Sequence, residues 1–376
     1  MAESVEKMPL TGVEAPVTPP STPGRSKTVR PSPPNSQPEQ RIYLPDMFSS
    51  IMSVDAAVNP NYFKVKSKGD AWFSKTVKAD KKWTEKDKSV DYAYLSSLWA
   101  PNCDAENLRI VLDWNHWVFS FDDMFDEGHC SQSLAAAQAE INVMVGIMEG
   151  TQPRADPTEP GVEHPLRYVY QTVMDRVNKT ASPEFKQHWK EMHQRYFDGI
   201  LEQVKVVEGK RTFTRDVNEF MAMRRGNIGV YPAIALVEYC EGVRLPLAVL
   251  DHPSLQECMC VSADLVALVN DVISYKKDLM LGGDQNIIML LMDQGLSIQQ
   301  AVDQVGNMFT DCYKRWYTAH ANLPQWGEEI DGMVLRFMEV CRNVALGNLY
   351  WSHKTARYLT TEDGDLRDTK VLILPG

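Results

Sequence analysis

The chain has 376 residues, 44% of them apolar, which is enough for a sizeable core and excludes global disorder. The formal net charge is −11, from 50 acidic and 39 basic residues, which argues against a nucleic-acid partner and suits a protein that gathers cations. Seven cysteines without a CxxC pair read as free thiols in a reducing compartment, excluding a zinc site and a disulfide framework.

In chain order, residues 1–40 are rich in Pro, Ser and Thr and read as a disordered tail, because such a segment buries too little apolar surface to offset its ordering entropy. No apolar leader opens the chain and no run approaches the ~18 apolar residues that cross a bilayer, so the expectation is a cytoplasmic protein without a membrane span. Residues 41–360 read as one globular domain and 361–376 as a C-terminal tail, whose stretch Lys370–Leu374 is the one clear strand signal. Helical spacing predicts helices over about 105–127, 133–149, 162–179, 183–207, 215–241, 254–281, 297–321 and 326–352, an all-α chain. Within 215–241, Gly226, Gly229 and Pro232 should break or kink the helix. Ser254 and Glu257 have capping-box spacing, and Gly282-Gly283 marks the stop of the same helix.

The helix over 105–127 ends in Asp122-Asp123-Met-Phe-Asp126, after Trp114, Trp117, Phe119 and Phe121. Asp122 and Asp126 share a face, and Asp123 lies about 100° round from Asp122. Carboxylates crowded at a helix C-terminus repel one another and meet the negative end of the helix dipole. A divalent cation with a preference for hard oxygen, such as magnesium, offsets that cost.

A second constellation lies late in the helix over 254–281. Asn270, Ser274 and Asp278 follow at steps of four on an otherwise apolar helix and form one polar stripe of amide, hydroxyl and carboxylate oxygen, again a magnesium-type ligand set. Lys277 is placed to reach a metal-bound phosphate. The alternative, in which Ser274 bonds back to its own helix and Asn270 bonds a neighbour, accounts for each residue singly but not for the pair of constellations.

Together, Asp122-Asp123-x-x-Asp126 and, about 150 residues later, Asn270-Asp271-x-x-Ser274-x-x-Lys277-Asp278 resemble the double metal signature of class I terpene synthases, most closely the fungal, basidiomycete-like sesquiterpene synthases. Two further segments match that family. Arg224 stands where its diphosphate-sensing arginine does, with Arg225 as an adjacent competitor. Arg357-Tyr358 matches its C-terminal diphosphate-donating pair. The resemblance covers about 41–360. It implies a single-domain helical bundle around a central cavity, and a cyclase that ionises a prenyl diphosphate, farnesyl diphosphate first among them, as a monomer or homodimer.

The resemblance also implies three Mg2+ ions held by Asp122, with Asp126, on one wall and by Asn270, Ser274 and Asp278 on the other. Arg224, Lys277, Arg357 and Tyr358 would hold the diphosphate, and a backbone carbonyl near Ile228 or Gly229 would face the cation. Asp123, Arg225, Trp117, Phe119 and Trp351, with Trp114 and Phe121, are further cavity candidates, since aromatic faces stabilise positive charge. A chain-elongating prenyl diphosphate synthase of the same fold would carry a second Asp-rich motif in place of 270–278. A non-catalytic helical module would explain the bundle but not a polar stripe on an apolar helix.

Overall fold

The computed structural model describes residues 40–126, 128–209, 214–282, 285–360 and 363–374. The proline-rich segment 1–39, Glu127 at the end of an expected helix and Gly283 of the expected helix stop lie outside them. In order, the elements are β1 (Gln40–Tyr43), α1 (Tyr62–Thr76), α2 (Lys81–Val90), α3 (Tyr92–Trp99), α4 (Ala105–Asp126), α5 (Leu134–Glu149), α6 (Glu163–Asn178), α7 (Pro183–Glu208) and α8 (Val217–Asn227). There follow α9 (Val230–Cys240), α10 (Leu247–Leu250), α11 (Pro253–Leu281), α12 (Ile287–Asp293), α13 (Ile298–Ala321), α14 (Glu328–Ser352), α15 (Leu366–Thr369) and β2 (Val371–Leu374). The architecture is the expected all-α bundle.

Local chemistry sets many helix starts. Asp104 accepts from the Asn107 amide at 2.8 Å ahead of α4, and Ser182 from the Phe185 amide at 3.1 Å ahead of α7, where Pro183 occupies a position that needs no N–H. The start of α11 differs from expectation. His252 caps it, its ring nitrogen accepting from the Ser254 amide at 3.2 Å, while Glu257 turns away to pair with Arg315 at 2.5 Å. A capping box does form, at Ser297 and Gln300 of α13. The expected helix over 215–241 is two helices: Gly229 adopts φ 72°, a left-handed turn that separates α8 from α9.

At the centre lies α11, with α8, α9, α13 and α14 packed around it. By length and composition it could cross a bilayer, contrary to the expectation from the sequence. However, 89% of its most apolar window is buried within the protein, as befits a core helix. Residues 366–374, grouped above with a C-terminal tail, instead complete the domain. Strand β2 pairs antiparallel with β1, Ile42 opposite Leu372, and the buried Ile42, Leu372 and Leu374 join the core. The Gln299 amide bonds both the N–H and the C=O of Tyr43 at 2.9 Å, closing that edge onto α13.

Candidate active site

Two helices run apolar to polar along the wall of one cavity of about 330 Å³. From α4 come Trp114, Val118, Asp122 and Asp126, and from α11 Val266, Asn270, Ser274 and Asp278, each set at four-residue steps. Steps of four drift only slowly round a helix, so each set keeps to one face. The cavity therefore has an apolar end and an oxygen-rich end. Arg224, Ile228 and Gly229 enter it from the α8–α9 break, Lys277 from α11, and Arg357 and Tyr358 from the segment after α14. All nine residues expected to bind metal or diphosphate thus line one hollow, with Phe119, Ile228 and Gly229.

Five other candidates lie elsewhere. Arg225 turns away into a two-oxygen ion pair with Asp264, at 2.5 and 3.1 Å, which Arg315 shares at 2.6 Å. Asp123 does not line this cavity; it pairs with Arg357 at 2.8 Å and, with Lys277, Arg357 and Tyr358, lines an adjoining pocket. Trp117 is fully buried against Tyr170 and Phe121, with ring centroids 4.1 and 4.9 Å away, and Phe121 belongs to the same core stack. Trp351 donates its indole N–H to the Val90 carbonyl at 2.7 Å and backs Phe119 and Tyr358 from behind. Helical phase explains these misses, since Trp114 and Trp117 lie about 60° apart round α4.

The oxygen-rich end is densely hydrogen-bonded. Tyr196 on α7 donates to Asp122 at 3.1 Å and Gln203 to Asp126 at 2.6 Å. Arg224 donates to Asn270 at 2.9 Å and to Asp271 at 2.8 Å, and Asn270 donates to the Tyr358 hydroxyl at 2.9 Å. Ser274 donates to Asp278 at 2.6 Å, and Asn286 to Asp278 at 3.0 Å. Asp271, second residue of the expected motif, points away from the cavity to brace Arg224 and to accept the Ile287 amide at 2.9 Å. Tyr196, Gln203, Asn227, Trp99 and Asn348 also line the cavity and were not singled out from the sequence. A usable signal existed for two of them: Tyr196 and Gln203 are buried positions seven apart on one face of the amphipathic α7.

Burial, then repulsion from Asp126 and Asp123, pushes the Asp122 carboxyl well above the usual carboxylate range, and burial raises Asp126 as well. Closely spaced buried carboxylates of this kind suit a cation. The donors are hard oxygens of carboxylate, amide and hydroxyl, so the residues present fit a divalent metal. Burial works against the charges of Arg224 and Arg357, yet neighbouring acids outweigh it and both remain cationic. Among the described residues, the Nε–H groups of both are buried without a hydrogen-bond partner. At the apolar end, Trp114 donates its indole N–H to Nε2 of His193 at 3.2 Å, and His193 Nδ1 lies 3.0 Å from the Trp189 carbonyl. Because an indole only donates, His193 is the neutral Nδ1–H tautomer, and burial lowers its pKa to about 4.

The fold is that of the terpene synthases. It superposes on the crystal structure of a-eudesmol synthase with a TM-score of 0.70 at 20% identity, covering 80% of this chain and 96% of that one. It superposes on germacradien-4-ol synthase from Streptomyces citricolor with a TM-score of 0.69 at 17% identity, covering 82% and 99%. Residues 113–315 match Terpene synthase family 2, C-terminal metal binding, and the chain belongs to that family. Among curated relatives, a (1R,4R,5S)-(-)-guaia-6,10(14)-diene synthase of Fusarium proliferatum (strain ET1) is 47% identical over 346 residues, covering 89% of this chain and 85% of that protein. A (+)-eremophilene synthase of Gibberella fujikuroi is 42% identical over 334 residues, covering 89% and 92%.

Proposed function

We propose that this terpene synthase is a sesquiterpene cyclase, which ionises farnesyl diphosphate and closes the allylic cation into a cyclic hydrocarbon or alcohol with release of diphosphate. The observation that carries this reading is the pair of oxygen-bearing stripes on α4 and α11, which open onto one cavity with Arg224, Lys277, Arg357 and Tyr358 around it. Asp122 and Asp126 on one side, and Asn270, Ser274 and Asp278 on the other, would hold magnesium, three ions by resemblance to the family. When bound, magnesium supplies Lewis-acid neutralisation of the charge that builds on the leaving diphosphate.

The chain's own residues do the rest. Arg224, Lys277, Arg357 and Tyr358 donate to diphosphate oxygens, and the Nε–H groups of the two arginines, which have no partner among the described residues, are donors available for that purpose. At the helix break, Pro232 has no N–H, so the Ile228 carbonyl cannot be closed by the residue four positions on, and its negative end remains available to a cation in the cavity. Trp99, Trp114 and Phe119 supply π faces at the cavity wall.

The test is incubation of the purified protein with Mg2+ and farnesyl diphosphate, followed by gas chromatography–mass spectrometry. The expected result is a cyclic fifteen-carbon product. The double variant Asn270→Ala/Ser274→Ala should lose turnover while keeping its helical circular dichroism; full activity in it overturns the metal assignment. Consumption of added isopentenyl diphosphate would favour a chain-elongating synthase instead.

A further inference from the structure

A directed chain of hydrogen bonds joins the two walls of the cavity through residues that belong to neither proposed ligand set. Arg224 Nη1 donates to Asn227 Oδ1 at 3.4 Å, Asn227 Nδ2 to Gln203 Oε1 at 2.7 Å, and Gln203 Nε2 to Asp126 Oδ1 at 2.6 Å. The same guanidinium, through Nη2, holds Asn270 and Asp271. Asn286 then ties Asp278 to the Asp271 carbonyl, at 3.0 and 2.7 Å. A cation stands at one end and a carboxylate at the other, and every intervening amide donates toward the carboxylate. Such an arrangement polarises each bond in the direction that strengthens the next.

Burying two primary amides is costly unless both ends of each are paired. Gln203 is 8% exposed and Asn227 3%, and each amide is used at its oxygen and at its nitrogen. Gln203 comes from α7, Asn227 from the last turn of α8, and Asp126 from the last turn of α4, so three separate elements are fixed to one another at this point. A hydrocarbon of the same volume would fill the space but could not transmit orientation from one wall to the other.

We propose that Gln203 is a positioning residue, which through Asn227 sets the Asp126 carboxylate in register with Arg224 and the Asn270–Asp278 stripe, so that cation binding at one wall and diphosphate binding at the other reinforce each other. The inference rests on the reading of Asp126 as a metal ligand. Reinforcement of this kind is a coupling free energy and is reciprocal: breaking the link weakens both ligands together.

The test needs no turnover. Melting temperature is measured against Mg2+ concentration with inorganic diphosphate present, for wild type, Gln203→Leu, Asn227→Leu and the double variant. Each single variant should raise the Mg2+ midpoint on the order of tenfold, as expected for loss of one charge-assisted hydrogen bond. Because the two amides act in series, the double variant should be no worse than either single one. If Gln203→Leu melts well below wild type without ligands, Gln203→Met, which keeps an unbranched stem, replaces it. Midpoints within about twofold of wild type, or additive losses in the double variant, overturn the proposal. Absence of any joint stabilisation in wild type would instead overturn the metal reading beneath it.

Discussion

Arg224 and Arg225 are adjacent, and both are bound to aspartates on α11, yet only one faces the cavity. Arg224 holds Asn270 and Asp271 and lines the hollow, whereas Arg225 shares Asp264 with Arg315. Arg224→Ala should therefore lower kcat/KM on the order of a hundredfold or more, the scale of a lost charge-stabilising donor. Arg225→Ala should keep the rate within a few-fold and lower the melting temperature, with a cost of about 1–2 kcal/mol, since Asp264 keeps Arg315 and is not left fully unpaired. The pair of variants, measured by steady-state kinetics and thermal unfolding, separates the two roles; equal kinetic losses would contradict the assignment.

Helix α7 supplies Tyr196 and Gln203 to the site and crosses α8 very closely, because both helices carry a glycine where they meet. A Cβ on Gly199 would lie 2.4 Å from the Gly226 carbonyl carbon and 2.8 Å from the Asn227 amide nitrogen, backbone atoms that cannot rotate aside. Gly199→Ala must push α7 and α8 apart, shifting Arg224 and Asn227 relative to Asp126. A destabilisation of about 1–3 kcal/mol is expected, with a fall in activity larger than the loss of folded protein explains. Gly332, exposed within α14 with open space around it, is the control. Gly332→Ala should stabilise by about 0.4–1 kcal/mol, because it removes unfolded-chain freedom without a clash. Urea titration of both variants checks the contrast.

Across the whole bundle, the buried ionisable groups away from the cavity set a dependence of stability on pH. Burial raises Glu238 on α9 to a pKa of about 8, with Arg244 opposing, and its Oε2 has no hydrogen-bond partner among the described residues. The folded form therefore binds a proton that the unfolded chain releases near its ordinary value of 4.5. This contribution is fully present below that value and is lost as pH rises through about 8. Glu238→Gln should accordingly match wild type near pH 5 and exceed it in unfolding free energy near pH 9 by a few kcal/mol, on the order of one kcal/mol per pKa unit. A wild-type and variant difference that does not change with pH would show that Glu238 is not the group responsible.

Periodicity alone placed α4, α5, α6, α7, α11, α13 and α14 to within a residue or two, because a 3.6-residue apolar repeat is a local property of the chain. The helix break at Gly229 and the two oxygen-bearing stripes were legible for the same reason. Four-residue steps show which residues share a face before any neighbour is known. The sequence could not show what each face meets. Trp114, Trp117 and Trp351 look alike as residues, but only Trp114 opens onto the cavity, because the outcome depends on how α4 and α14 are turned against their neighbours. Gln203 and Asp126 lie 77 positions apart and Ile42 and Leu372 are further still, and nothing in the spacing of either pair announces their contact. Local repeats encode the elements and the chemistry they display, whereas long-range packing chooses which displayed groups face one another, and that pairing makes a cavity out of two striped helices.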